Sequence, residues 1–255
     1  MSFFTLLGTE VKKLRRSHII WILLIPVALL WIPAVIHSAA ALNPVTGGLP
    51  PEYNFFIQSF MGLVWFMFPA TMVICTVLLV QTERGNHGML KMLSLPVRPA
   101  MISLAKFTVL ILLAAVQIAA MAICYFPCAA IASHLNDSPL MLPLTFVLRE
   151  SGWIFLSSLP MAALFWAVAV CVRTPIFSMG IGLASIVPSV LAINTRAWFA
   201  YPMCYPFYRI MTLMSQYSAS PGEPVQLVPW IPTALAITVC ALALACQFYG
   251  KKERR

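Results

Sequence analysis

The chain has 255 residues, of which 61% are hydrophobic and only 9% charged, whereas a soluble domain carries about 25% charged residues. In water so apolar a chain would expose large patches that soluble monomers rarely show, so an ordinary soluble domain is excluded and lipid is the fitting solvent. The net charge is +9, but thirteen of the sixteen Lys and Arg sit in short clusters beside apolar runs. That is the placement expected of a bilayer protein, not of a nucleic-acid binder with one solvated basic face.

Residues 1–18 open with Phe3, Leu6, Leu7, Val11 and Leu14 at helical spacing and Glu10, Lys12, Lys13, Arg15 and Arg16 largely elsewhere. This pattern predicts an amphipathic helix lying at the membrane interface; a simple basic anchor is the alternative. Apolar runs then predict spans at about 19–40, 55–81 and 100–131, each long enough for the roughly 20 residues a bilayer requires. Between the first two, Asn43, Pro44, Gly47, Gly48, Pro50 and Pro51 break the chain. The segment 82–99 is polar and basic. Its Gly85 and Gly88 permit a sharp bend, Met89, Leu90, Met92 and Leu93 form a short apolar face, and Lys91 and Arg98 supply charge. A short surface helix of this kind suits insertion into a groove on a partner; a plain interfacial loop is the alternative.

Arg149 and Glu150 are too polar for mid-membrane without partners, so the fourth span is expected to start near Ser151 and end near Val172. The fifth follows at about 176–193 after a turn at Arg173–Pro175. Residues 194–227 are polar and aromatic, with Arg196, Trp198, Tyr201, Tyr205, Tyr208 and Arg209. Trp and Tyr favour membrane interfaces, and a short re-entrant or surface helix is expected here. The sixth span covers about 228–249, ahead of a basic end, Lys251–Arg255. Prolines 26, 33, 69, 127, 160, 188 and 232 punctuate the spans, either as hinges or as the kinks that membrane helices tolerate.

The count gives an all-α, polytopic membrane protein of one domain, 1–255, with about six spans. Lys and Arg at 12, 13, 15, 16, 84, 91, 98, 106, 173, 251, 252, 254 and 255 fall on one side and only Arg149, Arg196 and Arg209 on the other. The asymmetry places both termini and 82–99 in the cytoplasm, and 194–227 outside.

Catalytic chemistry is hard to find. No phosphate-binding GxxxxGK[ST] loop, GxSxG elbow, HExxH or Cys-His zinc spacing occurs. Six of the seven cysteines lie in apolar runs as small hydrophobes, and the four histidines sit at loops or span ends. The acidic residues are all expected near the membrane surfaces, so the ion-coupled carriers that place carboxylates at mid-membrane are disfavoured.

The run from Glu10 to Ser17 (EVKKLRRS), and Glu83 followed by Gly88, Lys91, Leu93, Pro96-Val97-Arg98 and Lys106, resemble the six-span permease subunit of bacterial ABC-2 type exporters, above all lantibiotic-immunity and bacitracin-resistance permeases. Leu159-Pro160 and the Tyr201-Pro202 and Tyr205-Pro206 pairs extend the resemblance along most of the chain. Pro99, in place of the family's usual bulky residue, leaves the start of the third helix open. The resemblance implies no cofactor on this chain and a separate cytoplasmic ABC ATPase subunit that carries ATP and Mg. It implies a second permease, identical or different, in the membrane of a bacterium. It makes Glu83, Gly88, Met89, Leu90, Lys91 and Leu93 the ATPase-coupling region. Export of an amphipathic peptide antibiotic or lipid-like molecule, for immunity or resistance, is the expected function. Arg196, Trp198, Tyr201, Tyr205, Tyr208 and Arg209 could contact that substrate, or could be an aromatic belt that fixes depth. A membrane-embedded enzyme and a non-transporting assembly or sensor subunit are the rival readings.

Overall fold

A computed structural model describes residues 3–14, 19–42, 48–84, 98–172, 174–218 and 227–249, with the side chains of 82–84 and 227–228 left out. The described residues form α1 (Phe3–Leu14), α2 (Ile19–Ile36), α3 (Pro51–Gly62), α4 (Phe68–Arg84), α5 (Pro99–Asn136), α6 (Leu144–Cys171), α7 (Pro175–Ala184), α8 (Ser189–Ala192), α9 (Tyr205–Tyr217) and α10 (Leu227–Phe248). A π-helical turn, Leu63–Met67, joins α3 to α4, and short 3-10 turns occupy Ser38–Leu42, Trp198–Ala200 and Pro202–Cys204. No strand occurs among the described residues.

Among the described residues, six stretches are long and apolar enough to cross a bilayer: Ile19–Ile36, Pro51–Gln81, Pro99–Asn136, Leu144–Cys171, Pro175–Ala192 and Pro229–Phe248. The protein is therefore a multi-pass, all-α membrane protein. Residues with large apolar side chains remain exposed along α2 (Ile20, Trp21, Ile25, Leu29, Ile32), α7 (Ile176, Phe177, Ile181) and α10 (Leu235, Val239). Such faces suit lipid rather than water.

Several boundaries differ from the sequence-based expectation. The fourth spanning helix starts at Leu144, not near Ser151, with Pro143 ahead of it in an extended conformation. Its charged residues do not end the helix because Glu150 finds its partner elsewhere in the fold. The second span reaches back to Pro51 through the π turn. The fifth is interrupted: α7 stops at Ala184, turns follow, and Pro188 precedes the four residues of α8. Pro99 is resolved as a starter. It occupies the first turn of α5 behind an extended Arg98, where its missing N–H costs nothing and its fixed φ suits the helix.

Helix α5 has 38 residues, about 57 Å at 1.5 Å per residue, against a hydrocarbon core of about 30 Å. It is the central post of the bundle. It packs against α1, α2, α4, α6 and α10. It ends at Asp137, whose φ of 49° closes the helix in the left-handed region. Close by, the Tyr125 hydroxyl donates to the Leu140 carbonyl (3.1 Å) and accepts from the Leu142 N–H (3.0 Å), pinning the turn into α6. Where α7 crosses α4, a Cβ on Gly182 would lie 2.6 Å from Val73 Cγ1, a close approach that only a glycine allows.

Candidate functional site

Chemistry-bearing side chains gather at the two ends of the bundle. At the α1 end, Lys106 lies two turns into α5 and is fully buried. Its ammonium donates to Glu10 Oε2 at 2.8 Å and to the Leu79 carbonyl at 3.1 Å. Lys13, half exposed, reaches Glu10 Oε1 at 2.5 Å. The Lys106 ammonium thus links α1, α4 and α5. Burial by itself pushes the Glu10 carboxyl up. The Lys106 charge and the hydrogen bonds from Lys106 and Lys13 outweigh it, holding the group below its ordinary value.

Two sequence expectations are corrected here. Glu10 lies on the docked face of α1 beside Leu6, while Val11 is exposed. Lys106, counted with the surface cations, is interior. A bare ammonium at that position would be costly; its counter-charge arrives from 96 residues away. Two of the acidic residues expected near the membrane surfaces, Glu10 and Glu150, are buried within the protein.

At the opposite end, Glu150 of α6 is fully buried. Its Oε2 accepts from Arg209 Nε at 2.9 Å and also from Arg209 Nη2, a forked arrangement that fixes the planar guanidinium. Its Oε1 accepts from Arg149 Nε at 2.9 Å. Arg209 sits on α9, so this cluster fastens α9 to α6.

Next to it stands an aromatic cluster. Trp198 and Tyr208 stack at 3.8 Å, and Trp230 of α10 meets Trp198, Tyr205 and Tyr208 at 5.6–5.7 Å. Tyr205 is buried and its hydroxyl donates to the Phe199 carbonyl; burial raises its phenol above the usual range, so it stays neutral. The Tyr201 hydroxyl donates to the Ser185 carbonyl, tying the segment to the end of α7. Arg196 is exposed. Between α6 and α10, a cleft of about 310 Å³ is lined by Trp153, Leu156, Pro160, Tyr205, Trp230 and Leu235, with five further residues. The Arg209 guanidinium lies 6.0 Å from the Trp153 ring.

Of the six residues assigned to substrate contact from sequence, the structure brings Trp198, Tyr205 and Tyr208 together, sets Tyr201 and Arg209 beside them, and leaves Arg196 exposed. Of the six assigned to coupling, Gly88, Met89, Leu90, Lys91 and Leu93 lie outside the described residues. Glu83 falls in the last turn of α4, its side chain outside the description. Sequence reasoning missed Glu150, Trp153 and Trp230 as members of one cluster. The available signal was a carboxylate in an apolar run, which demands a partner.

The profile described as ABC-2 family transporter protein matches residues 6–189, from α1 to the start of α8. The chain belongs to the ABC-2 transporter family. No curated protein matches it. Membership makes the chain a membrane transport component rather than a catalyst, and it implies association with an ABC ATPase. The match spans Glu10, Lys106 and Glu150, and stops short of Arg209, the aromatic cluster and α10.

Proposed function

We propose that the chain is the permease subunit of an ATP-driven exporter in a bacterial cytoplasmic membrane, with both termini in the cytoplasm and ATP and Mg held by a separate ATPase. A second permease, identical or different, completes the pathway. The observation that carries the mechanism is the buried Glu10–Lys106 pair. It joins the interfacial helix α1 to the first turns of α5 and to the Leu79 carbonyl of α4. The segment between α4 and α5 is the coupling region. A push from the ATPase there reaches three elements that are already tied together, so they respond as one body. Glu83 sits at the end of α4, and Met89, Leu90 and Leu93 fill an ATPase groove, with Gly88 and Lys91 shaping the approach.

The cargo is an amphipathic peptide antibiotic of the lantibiotic type or a lipid-like molecule, exported for immunity or resistance. The aromatic segment supports this reading because aromatic faces attract apolar and cationic groups. Burial divides its labour. Trp198 and Tyr205 hold the segment together, and the exposed Arg196 is its cargo-facing charge.

Co-expression with the partner ATPase tests the proposal. Leu90→Asp or Glu83→Ala should lower permease-stimulated ATP hydrolysis and weaken co-purification while the permease still inserts. Full stimulation in Leu90→Asp would overturn the coupling assignment.

A further inference from the structure

The cleft between α6 and α10 has a composition that selects its occupant. Its walls are Trp153, Leu156 and Pro160 from α6 and Trp230, Ala234 and Leu235 from α10. Three of the polar side chains in it are already satisfied. Ser157 donates to the Ile154 carbonyl, Thr238 to the Ala234 carbonyl and Tyr205 to the Phe199 carbonyl. A polar ligand would lose its hydration there for little return, whereas a hydrocarbon chain would not. The volume, about 310 Å³, is at the small end of ligand pockets, which run from about 300 to 1,000 Å³. It suits one acyl chain and not a folded peptide.

Charge lies at one end of this cleft. Residues 149, 153, 156 and 160 recur at steps of four, three and four, which places Arg149 on the same stripe of α6 as the cleft wall, one turn beyond Trp153. The Arg149 side chain is 58% exposed. The Arg209 guanidinium stands over Trp153. These two cations share a single carboxylate, Glu150, so the three side chains carry one net positive charge; Arg209 adjoins the cleft at Trp153, and the Arg149 guanidinium lies over the Phe146 ring, further toward the start of α6. Hydrocarbon has little preference between a protein groove and neighbouring lipid tails. Selectivity must therefore come from the headgroup.

We infer that this cleft is a specific site for an anionic phospholipid of the bilayer leaflet at the α9 end, with one acyl chain between α6 and α10 and the phosphate at Arg149 and Arg209. The bound lipid wedges α10 against the Glu150–Arg209 cluster. The inference does not depend on what the chain exports.

Native mass spectrometry of the purified chain released from nanodiscs of equal phosphatidylglycerol and phosphatidylcholine tests it. The parent should retain one phosphatidylglycerol, preferred over phosphatidylcholine about fivefold, the scale of one basic side chain at a membrane surface. Arg149→Gln alters an exposed side chain and should keep the fold while reducing that preference to near unity. Ala234→Phe fills the cleft and should abolish retention of either lipid. An unchanged preference in Arg149→Gln overturns the headgroup assignment. Parental retention in a monodisperse Ala234→Phe overturns the cleft. Loss of both lipids from the parent at the lowest activation would show annular contact only, and would also overturn the inference.

Discussion

Removing the acid from the Glu10–Lys106 pair should detach α1 without dispersing the spans. Lys106 is 0% exposed and Glu10 2%, so Glu10→Gln leaves an ammonium in the interior with a neutral amide and the Leu79 carbonyl among its acceptors. Breaking a buried pair from one side costs about 3–5 kcal/mol. Since 1.36 kcal/mol is a factor of ten, the closed state of α1 should lose roughly 10²- to 10⁴-fold in population relative to the open one. Hydrogen exchange reads this directly, because local opening sets amide protection. Amides of α1 should lose about that factor in Glu10→Gln, while those in the middle of α5 and α6 keep theirs. Lys106→Met should cost less, since Glu10 retains Lys13. The double variant should return close to the parent, because replacing both charges of a buried pair is often near neutral. The carboxyl is held below its ordinary 4.5. Its contribution is therefore complete above that value and is lost as the pH falls through the lower folded value. Protection of α1 in the parent should be flat through neutral pH and decline only below 4.5. Parental protection in Glu10→Gln, or a double variant as loose as the single, would refute the argument.

Three other outcomes follow from the geometry. Gly182→Leu forces side-chain atoms into Val73, where even a Cβ lies at 2.6 Å, and overpacking of about 1–3 kcal/mol should lower the thermal midpoint in detergent; Gly180→Ala, with nothing within 4 Å of its Cβ, should not. Arg209→Met leaves the buried Glu150 paired with the half-exposed Arg149, so α9 amides should lose protection by a similar order to α1 in Glu10→Gln. Single cysteines placed at Asn43 and Ser220 should react with an impermeant thiol reagent in intact cells, and one at Lys252 should not; labelling at Lys252 would reverse the proposed orientation.

The spans were legible because lipid leaves the chain few options. A backbone without water must close its hydrogen bonds within helices, so length and apolarity nearly suffice. The N-terminal helix is legible from periodicity, and a helix after residue 194 from the Trp and Tyr concentrated there. What periodicity cannot supply is who pairs with whom. Glu10 and Lys106 are 96 residues apart and Glu150 and Arg209 are 59 apart. Each looked like a surface group because, alone, the surface is the only affordable place for it. The start of α6 is missed for the same reason: Arg149 and Glu150 put the expected start near Ser151, whereas the pairing of Glu150 with Arg209 lets the helix begin at Leu144. Trp230 read simply as the beginning of a span, and nothing local marks it as the base of the Trp198–Tyr208 stack.

The two buried pairs are built in opposite senses, and this bears on what each can transmit. At one end the acid belongs to the short helix, Glu10 on α1, and the base to the spanning post α5. At the other the acid belongs to the spanning helix α6 and the base, Arg209, to the short helix α9. In both, a helix of 12 or 13 residues, shorter than the roughly 20 a bilayer requires, is held to one long enough to span by a bond whose loss is costly only because it is buried. Such a joint is stiff while closed and fails all at once when water reaches it, since the same ions are well solvated when exposed. Displacing α1 must therefore either carry Lys106 and α5 with it or break the buried pair. The lateral strength of the bundle lies elsewhere, in contacts such as α4 against Gly182 and α10 against α6. The α1 joint thus loads two bundle helices together, α5 through Lys106 and α4 through the Leu79 carbonyl.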